Sequence, residues 1–217
     1  MKKIALLSIL LSPVIFFSCR KVAPSLKVKS SLFPLQEGNY WKYNFYHRET
    51  DSTYSTYSNN AEAAEIRIGS ETRLPDGRDA ILMIVTIAQK TDTQYIVNDN
   101  TDLVFFKLYA NEPTEMFRLK ESLAKGQQWV NDKDTTTVLD FTSITVPAGR
   151  FTTYKIHRAT QFPQCSCLWL SIKDNYYWIK KGTGFVKLNL YIFYPGFKHD
   201  PVFYNYGIYE LVEYKIN

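Results

Sequence analysis

The sequence predicts a mainly β body: a single domain built as an antiparallel meander, bent strongly into a half-barrel, barrel or sandwich, with little helix. Three observations carry that reading. Apolar and polar residues alternate from Tyr40 onward, the period of a half-buried strand. Short Pro-, Gly- and Asn/Asp-containing segments punctuate the chain at Pro75-Asp76-Gly77, Asn98-Asp99-Asn100, Pro147-Ala148-Gly149 and Gly182-Thr183-Gly184. Aromatic residues make up 16% of the chain, and they cluster with Val, Ile and Thr in the segments between those turns.

The elements follow in order. Trp41, Tyr43, Phe45 and His47 fall on one face of a first strand, with Lys42 and Asn44 on the other. "AILMIVTIA" (Ala80 to Ala88) is a continuous apolar run, which suits a central strand covered on both faces. "DLVFFKLY", "TEMFRLK", "TVLDFTSITV", "FTTYKIHRAT", "NYYWIKK", "GFVKLNLYIFY" and "IYELVEYKI" supply further strands. Only Lys120 to Lys125 reads as a short helix. One local pattern occurs twice: Leu35-x-x-Gly38-x-x-Trp41 returns as Leu123-x-x-Gly126-x-x-Trp129. A reused turn with an aromatic anchor is the first reading. A duplicated half is the second, although the downstream stretches "KYNFYH" and "VNDKDT" do not match.

Residues 1–18 read as a secretory signal, with Lys2 and Lys3 followed by an apolar run too short to span a bilayer permanently. "FFSC" resembles a bacterial lipobox, with Phe17 where a small residue is usual. It makes Cys19 the expected site of lipid attachment and the membrane a partner through that anchor. Residues 19–31 then form a basic tether and 32–217 the β-rich domain. Fully extended, the twelve residues Arg20 to Ser31 reach roughly 40 Å.

Six of the 26 basic residues precede Ser31, where no acid occurs. The body therefore carries 20 basic against 21 acidic groups, a charge of −1, and the basic excess belongs to the tether. That distribution excludes a basic nucleic-acid face as the expected partner surface. Cys165 and Cys167 read first as free or loosely oxidised thiols, then as a local disulfide, and last as metal ligands. With only His47, His157 and His199 as companions, no metal site or cofactor is expected.

Taken together, "FPLQEGNYWKY" (Phe33 to Tyr43), "VPAGRFTTYKI" (Val146 to Ile156) and "YYWIKKGTGFVK" (Tyr176 to Lys187), with the closing "YELVEYKIN", resemble a family of Bacteroidota cell-envelope lipoproteins. The resemblance implies a β-rich, envelope-anchored domain and brings no catalytic residue with it. Arg20, Lys21, Val22, Ala23 and Pro24 after the lipidated Cys, in place of acidic residues, imply an outer-membrane lipoprotein facing the periplasm.

No catalytic set emerges. Ser122-Leu-Ala-Lys125 matches Ser-x-x-Lys alone, without the companion elements that penicillin-recognising enzymes need. "NDNTD" (Asn98 to Asp102) lacks the Gly and the Glu of a calcium loop. Asp132 and Asp134 read as members of a polar turn. The expected function is a non-catalytic binding or structural module. One alternative is an apolar-ligand carrier with a lipocalin-like or Lol-carrier-like cup, its ligand face at Trp41, Tyr43 and Phe45. The other is a scaffold subunit contacting an envelope protein through "YPGFKHDPVFYNYG".

Overall fold

The structure, a computed structural model, describes residues 30–50, 55–99, 101–132, 134–160, 172–193 and 207–217. Among the described residues fourteen strands are formed: β1 (Tyr40–Thr50), β2 (Ser55–Tyr57), β3 (Glu62–Arg73), β4 (Asp79–Ile87), β5 (Lys90–Asn98), β6 (Asp102–Tyr109) and β7 (Glu112–Lys120), followed by β8 (Gln128–Asn131), β9 (Asp134–Val146), β10 (Gly149–Thr160), β11 (Ile172–Lys180), β12 (Gly184–Leu190), β13 (Ile192–Phe193) and β14 (Gly207–Lys215). Twelve of them make one antiparallel, nearly closed barrel in the order β7-β6-β5-β4-β3-β1-β14-β12-β11-β10-β9-β8, with β2 paired to β1 and β13 to β11. No helix occurs among the described residues.

Alternation turns the large apolar side chains of each strand inward. Trp41, Tyr43 and Phe45 of β1, Ile66 and Ile68 of β3, Leu103 and Phe105 of β6, Ile179 of β11 and Leu211 of β14 join one core. Burying each such side chain contributes roughly 1.5–3 kcal/mol before the entropy cost is counted. Register shifts at Lys42/Tyr43, Ile68/Glu71, Phe105/Phe106, Lys155/Ile156 and Trp178/Ile179 bend the strands around that core. A smaller cluster on the other face of β4–β6, of Leu74, Ala80, Val97, Val104 and Phe106, is covered by the turn after β3. There the Arg78 guanidinium sits 4.2 Å from the Phe106 ring.

The expected helix at Lys120 to Lys125 is absent. Lys120 ends β7, and the following residues turn directly into β8. Glu121 N–H donates across to Thr101 O, continuing the β6–β7 pairing past Lys120, and Gly126, at a positive φ of 81°, sends its N–H to Val138 of β9 rather than back along the chain. This turn repeats the one before β1 bond for bond. Gly38 N–H donates to Ile68 O and Ile68 N–H returns to Asn39 O; Gly126 N–H donates to Val138 O and Val138 N–H returns to Gln127 O. Asn39 N–H closes on Gln36 O as Gln127 N–H closes on Ala124 O.

Each turn opens a run of six barrel strands, β1 with β3–β7 and then β8–β12 with β14. The two runs meet at two junctions. At one, β1 and β14 pair over eight residues, from Tyr40↔Lys215 to His47↔Gly207. At the other, β7 and β8 share no ladder. Side chains bridge them instead: Trp129 Nε1 donates to Arg118 O at 3.1 Å and Asn131 Nδ2 to Glu115 Oε1 at 2.8 Å. Because neighbours are antiparallel, the starts of β1 and β8 and the ends of β7 and β14 lie at one end of the barrel, its base.

Candidate functional site

The base is where the segments singled out in the sequence converge. Ser30 Oγ accepts the N–H groups of Leu32 and Phe33, which turns the incoming chain into the barrel. Phe33 is fully buried, its ring 4.7 Å from Trp41, 5.2 Å from Phe185 and 6.2 Å from Phe105. The β11–β12 turn receives it. Gly182 N–H donates to Ser31 O, and a Cβ at Gly184 would stand 2.8 Å from the Phe33 ring, so only glycine fits beside it. Trp41 Nε1 donates to Thr183 O at 2.6 Å and Tyr43 OH to Phe185 O at 2.9 Å. Burial holds the Tyr43 phenol well above its ordinary pKa, so it stays a donor. Asn39, also buried, donates to Pro34 O and accepts from Asn217 N, which ties the two ends of the described chain together. The hairpin after β9 closes the ring through Ala148 N–H to Leu211 O.

Beside this clasp lies a cleft of about 330 Å³ lined by Ser31, Leu32, Glu121, Ser122, Leu123, Tyr154 and Lys181. Glu121 Oε2 accepts from Ser31 N at 3.0 Å and from Ser31 Oγ at 3.1 Å, while Oε1 is shielded from solvent with no hydrogen-bond partner.

Toward the other end, the interior of the second run is polar. Arg158 of β10 forms a buried ion pair with Asp134 of β9, with Thr136 and Asn175 buried on the adjacent strands. Asp134 therefore belongs not to a solvated turn but to this interior, drawn in by the guanidinium. Arg158 also lies 5.5 Å from the Phe117 ring, which stacks on Tyr177 at 4.7 Å. Burial raises the Tyr177 phenol pKa, against the opposing pull of Arg158. On the outer wall, His157 Nε2 meets Asp174 Oδ1 at 2.7 Å and its ring stacks on Tyr176 at 4.5 Å. Among the described residues no nucleophilic side chain bonds its second nitrogen. Lys125, the lysine of Ser-x-x-Lys, is paired with Asp140 at 3.0 Å.

Of the sequence-predicted sites, Trp41, Tyr43 and Phe45 are brought together in the interior, in contact with Phe33, Phe185 and Tyr209. Cys19, Cys165, Cys167 and residues 194–206 lie outside the described residues. "NDNTD" forms a hairpin tip in which Asp99 Oδ1 accepts from Asp102 N, and Asp102 pairs with Arg118 and Lys120. Sequence reasoning missed Arg158 and Glu121. Arg158 sits two residues after Ile156, on the same face of β10, and that spacing was the available signal.

No family model and no curated protein matches the chain. Two solved structures resemble it. One is a Bacteroides fragilis protein provisionally described as exported, with a YmcC-like fold (14% identity, TM-score 0.46). The other is a Parabacteroides distasonis protein provisionally described as a lipoprotein (17% identity, TM-score 0.46). Each comparison covers 86% of this chain and 100% of the other. Neither likeness bears on what this chain binds or does.

Proposed function

We propose that the protein is a membrane-anchored lipoprotein of the outer membrane, facing the periplasm, whose barrel is a non-catalytic binding or structural module. The observation that supports this reading is where the chain enters the barrel. Residues 30–35 plug the base with Leu32, Phe33 and Leu35, so a lipid on Cys19 would hold the base toward the membrane. The end with the buried Arg158–Asp134 pair would then face away. Replacing Cys19 with Ala tests the anchor. The parent chain should incorporate labelled palmitate and sediment with membranes, and Cys19→Ala should be unlabelled and soluble after osmotic release. An unlabelled parent, or a variant that still sediments, overturns it.

The carrier version of this reading has a definite requirement. An apolar ligand against Trp41, Tyr43 and Phe45 would occupy space that Phe33 and Tyr209 fill here. Native mass spectrometry of gently extracted protein should then show an adduct of acyl-chain mass, and repeated absence of one removes this version.

A further inference from the structure

The base cleft combines four features. Lys181 is exposed and has no acidic partner among the described residues. Ser122 and Tyr154 present hydroxyls that bond no described residue. Glu121 lines the cleft with a carboxylate whose Oε1 is sealed from solvent without a donor, an expensive state that is relieved when the side chain releases Ser31 and turns toward a donor entering the cleft. Leu32 and Leu123 give the same cleft an apolar floor. Its volume, about 330 Å³, is at the small end of ligand pockets.

An ammonium and hydroxyls suit a phosphate; a carboxylate with a vacant acceptor suits a protonated amine. A molecule carrying both, a short distance apart, would satisfy both sides at once. We infer that the cleft binds the zwitterionic ethanolamine phosphate headgroup of a membrane lipid. Lys181, Ser122 and Tyr154 take the phosphate, Glu121 takes the primary ammonium, and the glycerol end lies over Leu32 and Leu123. The choice of a lipid over a free metabolite rests on the anchor reading above. Ser31 ends the tether and Leu32 opens the domain, and both line the cleft, so an anchored protein carries this cleft on its membrane-facing end.

The test uses the full chain with Cys19→Ala, so that no acyl anchor contributes, and sedimentation with three kinds of vesicle. These contain phosphatidylcholine alone, or phosphatidylcholine mixed with phosphatidylethanolamine or with phosphatidylglycerol. The ethanolamine vesicles should bind roughly tenfold more tightly than the other two, because choline has no N–H for Glu121 and glycerol has no amine. Glu121→Gln should abolish the preference and Lys181→Ala should weaken binding to all three vesicles, with unchanged unfolding midpoints as the folding control. Should Glu121→Gln unfold, competition on the parent chain carries the test: soluble phosphoethanolamine should displace the ethanolamine vesicles and phosphocholine should not. Equal binding to all three vesicles overturns the inference, as does preference for phosphatidylglycerol, which is plain charge attraction. Binding of soluble phosphoethanolamine without vesicle binding also overturns it, in favour of a free metabolite. A failed palmitate label with the ethanolamine preference intact would remove the anchor and leave the site.

Discussion

Leu35–Trp41 and Leu123–Trp129 share a turn, a glycine conformation and a reciprocal pair of backbone bonds, yet they support junctions of very different strength. The first leads into β1, which is laddered on both sides, by β3 and by β14. The second leads into β8, four residues long and laddered only to β9. Trp41 drives its indole into the base against Phe33; Trp129 spends its indole bridging the gap to β7. The facing strand β7 carries Pro113, which cannot donate, and Glu112, Glu115, Arg118 and Lys120, residues typical of an edge kept from pairing. A repeated local device thus fixes how a strand starts. What the neighbouring strands offer fixes what that start is worth.

The sharpest separation should come from the two tryptophans. Trp41→Ala removes a fully buried ring and the bond to Thr183, and should cost about 3–5 kcal/mol in chemical denaturation. Trp129→Ala should cost about 2 kcal/mol, and its loss should appear chiefly as faster amide exchange in β7 and β8. Equal costs, or exchange that quickens uniformly around the barrel, would mean that the seam is as integral as the β1–β14 ladder.

The two runs also differ inside. Toward the end away from the base, the first lines its interior with Ala64 and Ile87, the second with Asp134, Thr136, Arg158 and Asn175. Asp134→Ala leaves the buried guanidinium uncompensated and should destabilise by about 3–5 kcal/mol. Asp134→Leu combined with Arg158→Met should return to within about 1 kcal/mol of the parent, because both desolvation costs disappear. If the double variant is as damaged as the single, the pair contributes more than its own neutralisation.

The glycines that start each run give a smaller contrast. Alanine at Gly38 or Gly126 must hold a φ above 80°, which should cost about 1–2 kcal/mol at either place. At Gly38 the added methyl would also meet Asn217 at 3.5 Å, an ordinary contact, while at Gly126 it meets nothing. The two losses should therefore agree closely, and thermal melts that separate them widely would show that the two turns are not equivalent.

The barrel was legible wherever periodicity and turn chemistry agreed. β1, β9, β10 and β12 fall where the alternation and their Gly- or Pro-bearing turns place them, and β6 follows the Asn98-Asp99-Asn100 turn. β3 and β5 were not legible. Glu62–Arg73 alternates only through Ala64, Ile66 and Ile68 before its register shifts, and Lys90–Asn98 opens with polar residues. The β4–β5 turn is Ala88-Gln89, with φ of 45° and 69°, a tight hairpin made without the glycine or asparagine that would announce it. The base clasp was half legible: its motifs could be quoted, but not that they meet. Bonds such as Trp41 to Thr183 and Asn217 to Asn39 join residues more than a hundred positions apart, and only closure of the barrel brings them together. Glu121 and Lys181 met for the same reason.

The smallest effect separates the two junctions by pH. At the seam-side strands, burial works to raise the Asp102 pKa, but hydrogen bonds from Lys120 and Arg118 outweigh it and leave it below the ordinary carboxylate value. A depressed folded pKa contributes stability that is complete above the unfolded value, near 3.8, and is lost as pH falls through the folded one. At the β1–β14 junction, Glu213 is lowered likewise by Tyr40 and Lys42, but it is solvent-exposed, where such pairs contribute little. Asp102→Asn should therefore cost about 1 kcal/mol at pH 7 and progressively less below pH 4, where the parent itself loses the pairing. Glu213→Gln should change little at either pH. Denaturation curves at pH 7 and pH 3 decide it: a penalty for Asp102→Asn that does not shrink on acidification would show that Asp102 acts through its shape and not its charge.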